Sequence, residues 1–151
     1  MATPRAPRQS RTAHRGRPAL ERRIDRVRIA ESARVPIALV VDDEPLIREL
    51  VSRVLRDEGW SVLEAADATA AMALAKTGPL DLLVTDYEMP RVTGVALAEQ
   101  LRERDEDLPV LMVSGHPEAA GAMRRLRGRT AFTLKPFALD ELVSTVDSIV
   151  D

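Results

Sequence analysis

At 151 residues, with 45% hydrophobic composition and a net charge of -2, the chain has room for one ordinary domain plus an appendage, and enough apolar side chains for one core. With no cysteine there is no disulfide framework or thiolate metal site, and with no long apolar run there is no transmembrane span or secretory segment, so a cytoplasmic protein is expected. The near-neutral total hides an asymmetry: residues 1–35 hold ten arginines against three acids, and the remainder holds twelve basic and twenty-one acidic residues.

The chain therefore reads as a basic arm, residues 1–34, on an acidic domain, residues 36–151. The arm opens MATPRAPRQSRTAHRGRP, nearly free of bulky apolar side chains, and builds no core. Leu20, Ile24 and Val27 give Ala19–Arg34 a narrow apolar stripe, enough for a frayed helix at most, and His14 stands alone. A solvated tail is the plainer reading; an electrostatic contact with nucleic acid, anionic lipid or an acidic partner is the alternative.

After Pro36, strand and helix signals alternate. IALVV is a strand buried on both faces and runs into Asp42, Asp43, Glu44 and Pro45, the last suited to a first helical position. The helix that follows carries Ile47, Leu50, Val51, Val54 and Leu55 on one face and ends near Gly59. Trp60–Ala65 reads as a strand nearer the sheet edge, and Asp67 as the N-cap of an Ala-rich helix to about Lys76. Leu80–Thr85 is a second apolar strand that ends on a carboxylate, Asp86. Thr93 caps a helix bearing Leu97 and Leu101, and PVLMVS is a third buried strand, ending on Ser114. Pro117 to about Arg127 is expected to be helical but soft, since Gly121 sits inside it and its apolar residues are mostly alanines. Thr130–Leu134 is the last strand, ending on Lys135 and Pro136, and a final helix from about Leu139 buries Leu142, Val143, Val146, Ile149 and Val150.

Five strand-helix units of this kind make a doubly wound α/β fold, whose parallel strands bring their carboxyl ends to one rim. Asp42, Asp43, Asp86, Ser114 and Lys135 then converge. Two carboxylates about 4 Å apart repel by ~4 kcal/mol at an effective dielectric near 20, so they share a proton or hold a cation. The three acids suit a divalent ion of the magnesium type, and Asp86 can attack a phosphoryl group in line to form an acyl phosphate. Lys135 and Ser114 would meet the phosphoryl oxygens as a cation and a hydrogen-bond donor.

The motifs VVDDEP, TDYEMPRVTG, VSGH and FTLKPF, in this order at strand ends, resemble the receiver domain of two-component response regulators over residues 36–151. The resemblance implies a flavodoxin-like sheet of strand order 2-1-3-4-5 and phosphorylation on Asp86 by a histidine kinase or histidine phosphotransfer protein. It also implies Mg2+ or Mn2+ held by Asp43 and Asp86 directly, by Asp42 through water, and by the main-chain carbonyl of Glu88. A cis Lys135–Pro136 peptide is implied too, with Ser114 and Phe132 as a switch that alters a partner face on helix 4, strand 5 and helix 5. Glu88, Gly115 and His116 fall at positions that tune the phosphate's lifetime. The protein would then be a phosphoacceptor with self-catalysed phosphotransfer and dephosphorylation rather than an enzyme with an external substrate, and from the absence of sequence after the last helix no attached output domain is expected.

Other readings use the same residues. Asp42 and Asp43 can cap the first helix, Ser114 the fourth, and Lys135 can be a solvated strand end, while Phe132 can be plain core. A metal-dependent aspartyl-phosphate phosphatase would use Glu88 as its general acid, two residues after Asp86. Departures from the family pattern are Gly115 in place of Ala, Arg129 after Gly128, and a Ser114-to-Lys135 interval about one residue short, which falls on the fourth helix.

Overall fold

A short run of apolar residues with no polar face has to be covered on both sides, and three such runs are covered here as central strands of a sheet. The computed structural model describes residues 34–150; the expectations for the arm, including the frayed helix and His14, lie outside the described residues. Strands β1 (Ile37–Val41), β3 (Leu82–Asp86) and β4 (Val110–Ser114) are buried almost throughout, whereas β2 (Ser61–Ala65) and β5 (Thr130–Leu134) are partly exposed edges. All pairings are parallel, in the order β2-β1-β3-β4-β5. The helices are α1 (Pro45–Asp57), α2 (Ala68–Ala75), α3 (Gly94–Arg102), α4 (Ala119–Ala122) and α5 (Leu139–Val150). No helix among the described residues is long and apolar enough to cross a membrane.

Alternation along the central strands divides the core in two. Ala38, Val40, Val84, Leu111 and Val113 face α1 and α5, where Val51, Leu55, Leu142 and Val146 meet them. Leu39, Val41, Leu83, Val110 and Met112 face α2 and α3, against Ala71, Leu97 and Leu101. The order in which successive strands are added reverses between β1 and β3, which opens a crevice at their carboxyl ends.

Both N-caps read from the sequence form: Asp67 Oδ1 accepts from Ala70 N at 2.7 Å and Thr93 Oγ1 from Ala96 N at 3.1 Å. Two expectations need correction. Leu50 is 37% exposed, because the apolar stripe of α1 is wider than its footprint on the sheet; Val51, Val54 and Leu55 carry the burial. The helix expected over Pro117–Arg127 shrinks to one turn of α4 and a 3-10 turn at Met123–Arg125. Its alanines bury little area, and the larger anchors Met123 and Leu126 stand three apart, a spacing that a 3-10 turn places on one side.

Two charged contacts tie down the amino ends of the strands. The buried Asp81 carboxylate accepts from Arg34 Nη1 and Nη2 at 3.0 and 2.7 Å and from Ile37 N at 2.8 Å, so the described fold takes in Arg34. Arg102 gives Nε and Nη2 to Leu108 O at 3.1 and 2.9 Å, and also reaches the carbonyls of Arg127 and Arg129. Burial draws its pKa below the ordinary arginine value, against Asp105 and Asp107, which raise it. Gly128 turns with φ +78°, a conformation that favours glycine.

Candidate functional site

Asp42 follows directly on β1, and every polar group it has is held. Its N–H donates to Ala65 O at 3.2 Å and its carbonyl accepts from Arg48 Nη1 at 2.8 Å. Its Oδ1 accepts from Glu44 N at 2.9 Å and its Oδ2 from Lys135 Nζ at 3.1 Å. Asp86, the last residue of β3, is 6% exposed and turns Oδ1 toward Glu88 N at 3.4 Å and Oδ2 toward Lys135 Nζ at 3.5 Å. Oxygens from Asp42, Asp43, Glu44 and Asp86 lie within 4.8 Å of one another. The rim therefore gathers the three acids expected there, and a fourth, Glu44, which sequence reasoning treated only as part of a turn.

Lys135 reaches this cluster from the position directly after β5, is followed by a cis Lys135–Pro136 peptide of the kind the resemblance implies, and also contacts Glu44 Oε1 at 3.4 Å. Burial alone would lower its pKa; Asp42, Asp86 and Glu44 outweigh burial and hold it above the ordinary lysine value, so the ammonium is charged at neutral pH. Burial raises the Asp86 pKa above the ordinary aspartate value, Lys135 opposes the rise, and Asp42 adds to it. Asp86 is thus a desolvated carboxylate held next to one cation, which is the state of a usable nucleophile.

The cleft above it, about 220 Å3, is lined by Asp43, Glu44, Asp86, Glu88, Gly115, His116 and Lys135. Glu88 and His116 meet across its mouth, Oε2 to Nε2 at 3.0 Å, a pairing that neither position signals in sequence. A Cβ on Gly115 would meet nothing within 4 Å. Ser114 is fully buried on β4, with Oγ accepting from His116 N at 3.1 Å, and it does not line the cleft. Phe132 is half-buried on the α2 and α3 side of the sheet. All-oxygen donors at an open rim, with a lysine ammonium seated where three of them converge, fit a small hard divalent ion that keeps part of its water.

A five-stranded parallel sheet in this order, with an acid cluster and a lysine at its carboxyl rim, defines the receiver class of α/β domain. Residues 38–147 match the response regulator receiver domain family, and the chain belongs to it. It is 37% identical over 109 residues to the probable transcriptional regulatory protein TcrX of Mycobacterium tuberculosis, covering 70% of this chain and 45% of that relative. The chain spans about half the length of the curated relatives it matches. Among solved structures it is similar to the chemotaxis protein CheY4 of Vibrio cholerae, with TM-score 0.70 and 29% identity over 77% of this chain and 99% of that one. It is also similar to the response regulator TrrA of Thermotoga maritima in complex with Mg(2+)-BeF, with TM-score 0.69 and 29% identity over 76% and 99% of the two chains.

Proposed function

We propose that this domain takes a phosphoryl group onto Asp86 from a histidine kinase or histidine phosphotransfer protein in the cytoplasm, and signals through a partner surface. The observation that carries this is the convergence of Asp42, Asp43, Glu44 and Lys135 around the desolvated Asp86 carboxylate. An Asp86 oxygen forms a bond to phosphorus as the bond from phosphorus to the donor's imidazole nitrogen breaks, and the leaving imidazole takes up a proton. Lys135 meets the charge on the transferring oxygens. Asp43, Asp86, the Glu88 carbonyl and, through water, Asp42 would hold Mg2+ or Mn2+, which supplies further charge neutralisation when bound. Glu88 and His116 screen the cleft mouth and, with Gly115, set how readily water reaches the acyl phosphate.

The phosphatase alternative needs the Glu88 carboxyl as a proton donor at the leaving group, but that carboxylate is paired with His116 at 3.0 Å. With a small phosphodonor and Mg2+ the acceptor reading expects one labile phosphoryl group per chain; rapid turnover of external phosphate esters would instead support the phosphatase. Removal of residues 1–33, which leaves Arg34 on Asp81, is expected to leave labelling unchanged, since the rim is built from residues between Asp42 and Lys135. Nucleic-acid binding by the arm would show as affinity that falls steeply with salt.

Output would pass through Ser114. A phosphoryl group adds about -1.5 to -2 charges at the rim. The Ser114 hydroxyl would leave His116 N to donate to it, and Phe132 would follow on the face of α4, β5 and α5. With only one α-helical turn and one 3-10 turn between β4 and β5, few apolar contacts oppose the change. Hydrogen exchange with a beryllofluoride mimic should change most in residues 114–135, and Ser114→Ala should mute that change while Asp86 still labels. A largest change on α1, or a parent-like response of Ser114→Ala, would reject the switch.

A further inference from the structure

Arg48 has no part in the chemistry proposed for the rim, yet it is the residue that holds the backbone of the acid pair. It lies one turn into α1 with its side chain 21% exposed, and Nη1 donates to the Asp42 carbonyl at 2.8 Å. On its other side Nε stands 3.9 Å from Glu64 Oε1 on β2. Glu64 Oε2 in turn accepts from Arg56 Nη2 at 3.2 Å, and the same nitrogen reaches Val62 O at 3.4 Å. Asp42 N donates to Ala65 O at the end of the same strand. The turn that carries Asp42 and Asp43 is therefore hydrogen-bonded to β2 through the Asp42 amide, and the guanidinium that holds its carbonyl stands at ion-pair distance from Glu64 on the same strand.

The Asp42 carbonyl and the Asp43 N–H belong to one rigid peptide plane, so fixing the carbonyl fixes the direction in which Asp43 leaves the turn. A planar guanidinium with several donors can serve the carbonyl and Glu64 together; a lysine ammonium, a point charge, does so less well. Glu64 also offsets a cation that would otherwise oppose a metal ion at the rim. We infer that Arg48 is a positioning residue for the divalent-ion site: it aims the acid pair through the Asp42–Asp43 peptide, and Glu64 keeps it oriented and neutralised. This rests on the proposed function only in that the rim binds the ion.

The test is a magnesium titration of the full chain followed by amide chemical shifts, with labelling by a small phosphodonor at saturating Mg2+ as a second readout. Partners that orient metal ligands from outside the coordination sphere are worth roughly 10–100-fold in affinity. Arg48→Ala is expected near the low end, about tenfold weaker. Labelling at saturating Mg2+ should stay within about twofold of the parent, because Arg48 touches neither Asp86 nor Lys135. Arg48→Lys should recover part of the affinity. If Arg48→Ala does not fold, Glu64→Gln decides: weakened Mg2+ binding supports the inference and parent-like affinity overturns it. Parent-like affinity in Arg48→Ala, or a loss of labelling that saturating Mg2+ does not restore, also overturns it. A parent that shows no magnesium-dependent shifts at the rim would instead strike at the ion site itself.

Discussion

Lys135→Ala is expected to cost the metal-free protein about 3 kcal/mol at neutral pH, with part of the loss returned on adding Mg2+. The side chains of Lys135, Asp42 and Asp86 are only 14%, 5% and 8% exposed, and removing one partner of a buried charge cluster leaves the others uncompensated at about this cost. The pH dependence has a definite sign. The folded-state pKa of Asp86 is already raised, so its contribution to stability is fully present below the ordinary aspartate value and is lost as pH rises through the raised one. Without Lys135, which opposes that rise, the pKa climbs further. The deficit relative to the parent should therefore grow from acid to neutral pH and shrink on returning to acid. Urea unfolding followed through Trp60, 5% exposed, at both pH values and with and without Mg2+ reads all of this. An unchanged midpoint at neutral pH would mean that the ammonium does not stabilise the cluster.

Gly94→Ala is expected to be comparably damaging for a steric reason. A Cβ on Gly94 would stand 2.1 Å from the Asp86 carbonyl oxygen and 2.8 Å from Met112 Sδ. The thioether can swing away, but the carbonyl belongs to the end of β3, and Gly94 N is itself bonded to Tyr87 O at 2.9 Å. Overpacking of this kind costs typically 1–3 kcal/mol and occasionally more; about 3 kcal/mol is expected here, because backbone must move. The same movement displaces Asp86, so labelling should fall in whatever fraction still folds. A variant with the parent's urea midpoint would show that the helix α3 start has more room than its geometry indicates.

Much of this was legible in the sequence because the central strands are unbroken apolar runs that stop at a polar residue. Asp42, Asp86, Ser114 and Lys135 mark the carboxyl ends of four strands, and a parallel sheet leaves one place where such ends can meet. The α4 segment was less legible, since alanines and Gly121 carry a helical preference but little area to bury, and Met123 and Leu126 settle the local geometry instead. Contacts between residues distant in sequence left no local signal: Arg34 with Asp81 and Arg48 with Glu64 look like ordinary surface charges until the fold brings them together, and Glu88 and His116 stood out singly but not as a pair. Glu44 could have been suspected, being the third acid in a row, and its contact with Lys135 at 3.4 Å bears out that composition rather than any periodicity.

The central claim is that Asp86 is the acceptor, and it is tested most directly by peptide mass mapping. The full chain and Asp86→Asn would each be incubated with a small phosphodonor, with and without Mg2+. One base-labile phosphoryl group on the peptide containing Asp86, dependent on Mg2+ and absent from Asp86→Asn, is the expected result; equal labelling of Asp86→Asn, or phosphate mapped to another carboxylate in the parent, would contradict it.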